Sequence, residues 1–130
     1  MHDEREREHT MRAERIRLES VEQARMAIAA VGAENSEFMA TRAVHINVLL
    51  RQVPGVEALI IKRTYNDIGA EAAISSHAYQ GEEGAVTDML VMGTIYHHRE
   101  ARRILAHSLN SQPWIEAIGQ VVEHSPEAEG

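Results

Sequence analysis

The sequence predicts one small mixed α/β (α+β) domain, with three to four strands and about four helices packed on the sheet. Two observations carry this. Apolar residues alternate with period two in some runs and recur at three- and four-residue spacing in others, in the order β-α-β-α-β-β-α-α. The chain is also of single-core size: 130 residues, 44% hydrophobic and 25% charged, with no repeat and no internal boundary.

Residues 1–13 read as a charged flexible arm, because Met1 to Arg12 hold seven Asp, Glu and Arg side chains without an apolar period. The domain proper is expected over residues 14–124, with 125–130 a flexible tail. From Glu14 to Glu19 the alternation Arg15, Ile16, Arg17, Leu18 predicts a short, half-buried strand. Ser20 followed by Gln23 has the spacing of a capping box. Val21, Ala24, Ile28 and Val31 then recur at helical intervals until Gly32 offers a left-handed stop. Gly32 to Ser36 reads as a loop.

Ala43 to Leu50, AVHINVLL, is the most strand-like run, with Val44, Ile46, Val48 and Leu50 on one face and His45, Asn47 and Leu49 on the other. Pro54-Gly55 interrupts it, since proline cannot continue a central strand. A second helix follows, with an apolar stripe of Val56, Leu59, Ile60, Ile61, Tyr65 and Ile68 that ends at Gly69. Ala72 to Ser75 is a short strand, and His77 to Thr87 an exposed polar loop. Asp88 to Met92, DMLVM, has the near-continuous apolar run of a strand covered on both faces. Gly93-Thr94 turns the chain, and Thr94 caps a third helix with Ala101, Ile104, Leu105 and Leu109 inward. Pro113 opens a fourth helix whose apolar side holds Trp114, Ile115, Ile118, Val121 and Val122.

Composition narrows the function classes. With no cysteine, thiol nucleophiles, Cys-ligated metals and a disulfide framework are excluded, and a reducing, cytoplasmic location is the default. Thirteen Lys and Arg against 20 Asp and Glu leave a formal charge of −7, which favours neither nucleic acid nor an anionic membrane surface. No run approaches the roughly 18 apolar residues of a spanning helix.

The chemistry-bearing residues form few patterns. His97 and His98 are adjacent, so on a helix they point about 100° apart and do not converge on one ion. They read as surface histidines at a helix start, and no metal or other cofactor is expected. Ser75-Ser76-His77 lacks an orienting acid, and no two carboxylates have the spacing of an acid–base pair, so no catalytic residue is assigned. Lys62 lies within an apolar helical run, where its stem follows the core edge and its head reaches water. Trp114 reads as a core anchor. The strand–Gly–helix turn at Gly93-Thr94 has the generic form that offers helix N–H groups to an anion, against a plain capped turn. With Lys62 and the Gly69-Ala70-Glu71 turn it makes the candidate binding set Lys62, Gly69, Glu71, Gly93 and Thr94. That reading requires the two turns to border one cleft at one edge of the sheet.

Four segments in order, RIRLESVEQARMAIAAVGAE, FMATRAVHINVLLRQVPGVEALIIKRTYNDIGAEAAIS, TDMLVMGTIYHHREARRIL and QPWIEAIGQVV, resemble the domain that precedes the catalytic barrel in long-form dihydropteroate synthase and its relatives. The matching positions are Ala58 with Lys62, Gly69 to Ala73, Asp88 to Thr94, and Gln112-Pro113-Trp114, and the likeness covers about residues 15 to 124. Arg63, Ala70 and Trp114 depart from the family's usual Gln, Gly and Phe. No segment resembles the pterin-binding barrel, so the family's catalytic residues have no positions here. The resemblance implies a non-catalytic accessory or interaction domain linked to folate and pterin biosynthesis. Its implied partner is a barrel-type dihydropteroate synthase subunit, and a second copy of the chain is the other expected partner.

Overall fold

The computed structural model describes residues 11–129. Most of the expected arm, residues 1–10, therefore lies outside the described residues. Three strands form one antiparallel sheet in the order β1-β3-β2: β1 is His45–Pro54, β2 Glu71–Ile74 and β3 Val86–Thr94. The six helices among the described residues are α1 (Val21–Ala30), α2 (Ser36–Ala40), α3 (Gly55–Asp67), α4 (Ser76–Tyr79), α5 (Ile95–Leu105) and α6 (Gln112–Glu123). The expected α+β class and sheet are present. Both β1 and β2 run antiparallel to β3, so they are parallel to each other, and α3 is the crossover between them.

Local chemistry explains most boundaries. The Ser20 hydroxyl accepts from the Gln23 N–H at 3.1 Å, while the Gln23 side chain accepts from the Glu19 N–H at 2.9 Å, closing the start of α1. Gly32 follows with φ +83°. At the end of α3, Gly69 takes φ +90° and Ala70 N–H returns to Tyr65 C=O at 2.9 Å.

Several expectations are corrected. Residues 14–19 form no strand: Ile16 is 61% exposed, Leu18 is the residue of this stretch that packs on the core, and the Arg-Ile-Arg-Leu alternation has no neighbouring strand to bond among the described residues. The loop expected from Gly32 to Ser36 is followed at once by α2, unforeseen because five residues are too few for a period. β1 runs on to Pro54, which an edge strand tolerates at its last residue. A bulge between Leu50 and Val53 bends it, with Gln52 at φ +55° and its N–H donating to Asp88 Oδ1 at 3.0 Å. The polar loop from His77 contains α4, and β3 is longer than its apolar run. β3 is not covered on both faces; its buried and more exposed residues alternate.

The buried face of the sheet carries Ile46, Val48, Leu50, Ala72, Met89 and Val91, against Ala58, Ile61 and Tyr65 of α3, Ile95, Ala101 and Leu105 of α5, and Ile115, Ile118 and Val122 of α6. The stripe read for α3 is thus shifted: Val56 and Ile60 are exposed. Likewise Ile104 and Val121 face outward, and Trp114 packs half-buried at the core margin. The C-terminal residues form a turn, Pro126–Ala128, and Glu129 C=O accepts from Glu22 N–H at 3.2 Å.

Candidate functional site

The chain reversal after α3 and the end of β3 meet at one end of the sheet. Met92 of β3 lies opposite both Asn47 and Glu71, and Gly93 opposite Ile46, so Gly69, Ala70 and Glu71 come beside Gly93. Together with His45, Met92 and His97 they line a shallow cleft of about 340 Å³. Three of the five sequence-derived candidates, Gly69, Glu71 and Gly93, therefore border one cavity. Thr94 and Lys62 do not line it.

Gly93 lies within β3 and has no positive φ; its role is one of close packing rather than of a turn. A Cβ at this position would stand 2.8 Å from His97 Cβ and 3.3 Å from Ala70 Cβ. The helix start that follows is fully bonded. Thr94 N–H donates to His97 Nδ1 at 3.0 Å, and His97 N–H donates to Thr94 Oγ1 at 3.2 Å. Ile95 N–H and Tyr96 N–H each donate to a backbone carbonyl, of Val44 and Thr41 respectively, at 3.0 Å. The N–H groups that an anion would use at this helix end thus already have acceptors.

The cleft's polar groups are instead side chains. Because His97 Nδ1 accepts the Thr94 N–H, a neutral His97 carries its proton on Nε2, which lies on the Gly69 side of the cleft. Partial burial, then the nearby His45 and Arg42, hold its pKa below the ordinary 6.5. His45 Nε2 donates to Asn47 Oδ1 at 2.9 Å. Glu71 is pulled below the usual carboxylate range, first by the Ala72 N–H that it accepts at 2.9 Å and then by Lys62. Lys62 Nζ sits 3.0 Å from Glu71 Oε1 and 2.6 Å from Ala72 O, so its head ties α3 to β2 rather than reaching free into water.

His98 corrects the reading of a surface histidine pair. It is completely buried, with Nε2 donating to Ile46 C=O at 2.7 Å and Nδ1 2.8 Å from the Tyr65 hydroxyl. Among the described residues no group of three or more His, Cys, Asp or Glu is placed to hold a metal ion. His45 and His97 were not in the candidate set. The Thr94-x-x-His97 spacing was the available signal, since a histidine can take the place of Glu or Gln in a capping box.

The second feature is the sheet face that the helices of the described residues leave open. Its cross-strand rows read Asn47–Met92–Glu71 and Leu49–Leu90–Ala73, with the Arg51–Asp88 ion pair beyond. Leu49 is 50% exposed, and Leu90 and Met92 are half-buried. Fold and site together define a one-sided antiparallel α+β domain with an apolar row on its open face and a small polar cleft at one end. Compared with known proteins, the chain matches no family model, no curated protein and no solved structure. No helix among the described residues is long and apolar enough to cross a membrane.

Proposed function

We propose that this chain is a non-catalytic accessory domain of the dihydropteroate synthase type, working through contact with a barrel-type synthase subunit in folate or pterin biosynthesis. The observation that carries the contact part is the open sheet face: a cross-strand row of Leu49, Leu90 and Ala73 beside Met92, with no helix upon it among the described residues. The synthase link rests on the ordered likeness of residues 15 to 124 to the pre-barrel domain. The absence of cysteine supports a cytoplasmic setting. The test is titration of the purified chain into a barrel-type synthase by calorimetry. Saturable binding that is lost in Leu90→Glu and Met92→Glu is the expected result. Turnover of a pterin pyrophosphate and p-aminobenzoate by the chain alone would overturn the reading.

A second reading, a binder of a small molecule or anion, is favoured by one observation, the meeting of Gly69, Glu71 and Gly93 around the His97 cleft. With the helix N–H groups occupied, His97 Nε2–H is the donor it would use, and Lys62 stays bound to Glu71. Amide NMR shifts at Gly69, Ala70 and Gly93 on adding inorganic pyrophosphate would support it; unchanged spectra would dispose of it.

A further inference from the structure

The sheet has two edges, and they are treated differently. On β2 the outward-facing backbone of Ala72 is satisfied at both atoms: its N–H donates to Glu71 Oε1 at 2.9 Å and its C=O accepts from Lys62 Nζ at 2.6 Å. That closes the short edge to another strand. The same observation sets the polarity of the other edge. Ala72 lies opposite Val91, so if Ala72 bonds outward, Val91 bonds away from β2 and toward β1, where Val48 is opposite it. Val48, Ile46 and Leu50 therefore take the ladder bonds. The N–H and C=O groups of His45, Asn47 and Leu49 point out of the sheet. Among the described residues, the hydrogen bonds outside the ladder include none to these six groups.

The exposed stretch also lacks the usual safeguards. No Asp, Glu, Lys, Arg or Pro occurs from His45 to Leu50, and the protective bulge begins only after Leu50. Leu18, Glu19 and Glu127 border the beginning of the strand, where a cleft of about 500 Å³ runs beside Val44 to Asn47. Leu49 stands clear of it.

We infer that β1 is the interface of a homodimer, in which two copies of this chain pair antiparallel about a two-fold axis at Leu49. Three arguments select a second copy. Self-pairing at Leu49 places Leu49 against its counterpart, so the row Ala73–Leu90–Leu49 continues without a break as Leu49–Leu90–Ala73 of the second copy. Asn47 then lies opposite Arg51 of the other chain, which brings an amide rather than a like charge to the guanidinium. The chain's formal charge of −7 opposes association in general, whereas this edge has no carboxylate among its free residues. The product is one six-stranded sheet, β2-β3-β1-β1-β3-β2, with both open faces on the same side. The inference shares with the proposed function only the premise that the chain works through protein contacts.

The test is mass measurement by light scattering and analytical ultracentrifugation of the full chain from about 1 µM to about 1 mM, the range where small interfaces associate. The expected result is a mass rising from 14.5 kDa toward twice that value. Asn47 and Leu49 amides should become protected from hydrogen exchange as concentration rises. Leu49→Lys, which sets like charges against each other at the axis, should raise the dissociation constant by about tenfold or more. Leu49→Pro removes the outward N–H together with the leucine side chain while breaking no ladder bond, and should do the same, with the circular dichroism of the monomer checking its fold. A monomer throughout the range overturns the inference, as does a dimer that survives Leu49→Lys or leaves both amides unprotected. Synthase titration of the unsubstituted chain separates the two ideas: a chain that stays monomeric throughout this range yet binds the synthase sinks the dimer and leaves the accessory function standing, and a chain that dimerises without binding the synthase does the reverse.

Discussion

The Tyr65 hydroxyl lies 2.8 Å from His98 Nδ1, both residues wholly buried, and so joins α3 to α5 beneath the sheet. His98 Nε2 completes the chain by donating to Ile46 C=O of β1. The direction of the protons follows: Nε2 must be the ring donor, so Nδ1 accepts from the tyrosine. Burial, the largest cause, pushes the Tyr65 pKa up and the His98 pKa down, which keeps both groups neutral at pH 7.

Tyr65→Phe therefore leaves a buried imidazole acceptor without its donor. The expected loss is about 1–3 kcal/mol of unfolding free energy, measured by urea denaturation. An unchanged midpoint would mean that the bond contributes nothing.

Acid should destabilise the fold in a window that His98 sets. Its folded pKa is below the unfolded value of 6.5, so the unfolded chain binds the proton first. The stability from the neutral histidine is complete above pH 6.5 and is lost as pH falls from there through the lowered folded pKa. One such group gives a slope of up to about 1.4 kcal/mol per pH unit. Tm should fall as pH drops below 6.5, and His98→Gln should flatten that part of the profile. His97, also lowered, contributes in the same direction. The depressed carboxylates Glu71, Asp88 and Glu123 add a further loss at lower pH.

Gly93→Ala is expected to cost about 1–3 kcal/mol, because the new methyl would stand 2.8 Å from His97 Cβ, an atom fixed by its helix backbone. The contrasting variant is Gly119→Ala. There the nearest atoms, at 2.4 to 2.9 Å, belong to the Arg102 guanidinium, which can swing aside at the loss of its 3.1 Å bond to Ile115 C=O. Thermal denaturation should rank Gly93→Ala as the more damaging change.

Lys62→Met keeps the apolar stem and removes the ammonium from Ala72 O and Glu71. It should lower stability by about 0.5–1.5 kcal/mol and raise the exchange rate of β2 amides, read by hydrogen-exchange mass spectrometry. A β2 edge that stays as protected as before would show that Lys62 does not close it.

The legible parts of this fold are those whose signal is local. Ser20 with Gln23, Gly32 after α1, Gly69 after α3 and Pro113 at the head of α6 act within one or two turns of chain, so residue chemistry alone places them. The alternation in AVHINVLL likewise identifies β1 and sorts its two faces correctly. Of the candidate site, Gly69, Glu71 and Gly93 were legible, though for Gly93 the reason was a turn and the structure supplies a close contact with His97.

What the chain determined by itself was the class of domain, its main helices and strands, and which face of β1 is buried, because periodicity and capping depend on neighbours a few residues away. Only the tertiary structure decided that, among the described residues, Arg15 to Leu18 has no strand to join, that His98 is sealed against Tyr65, and that the β2 edge is closed by Lys62 and Glu71 while the outward groups of β1 have no partner among the described residues. Those outcomes depend on residues separated by 10 positions, as for Lys62 and Ala72, or by 33, as for Tyr65 and His98. No local pattern carries a hydrogen bond between residues whose meeting is set by how the helices cross the sheet.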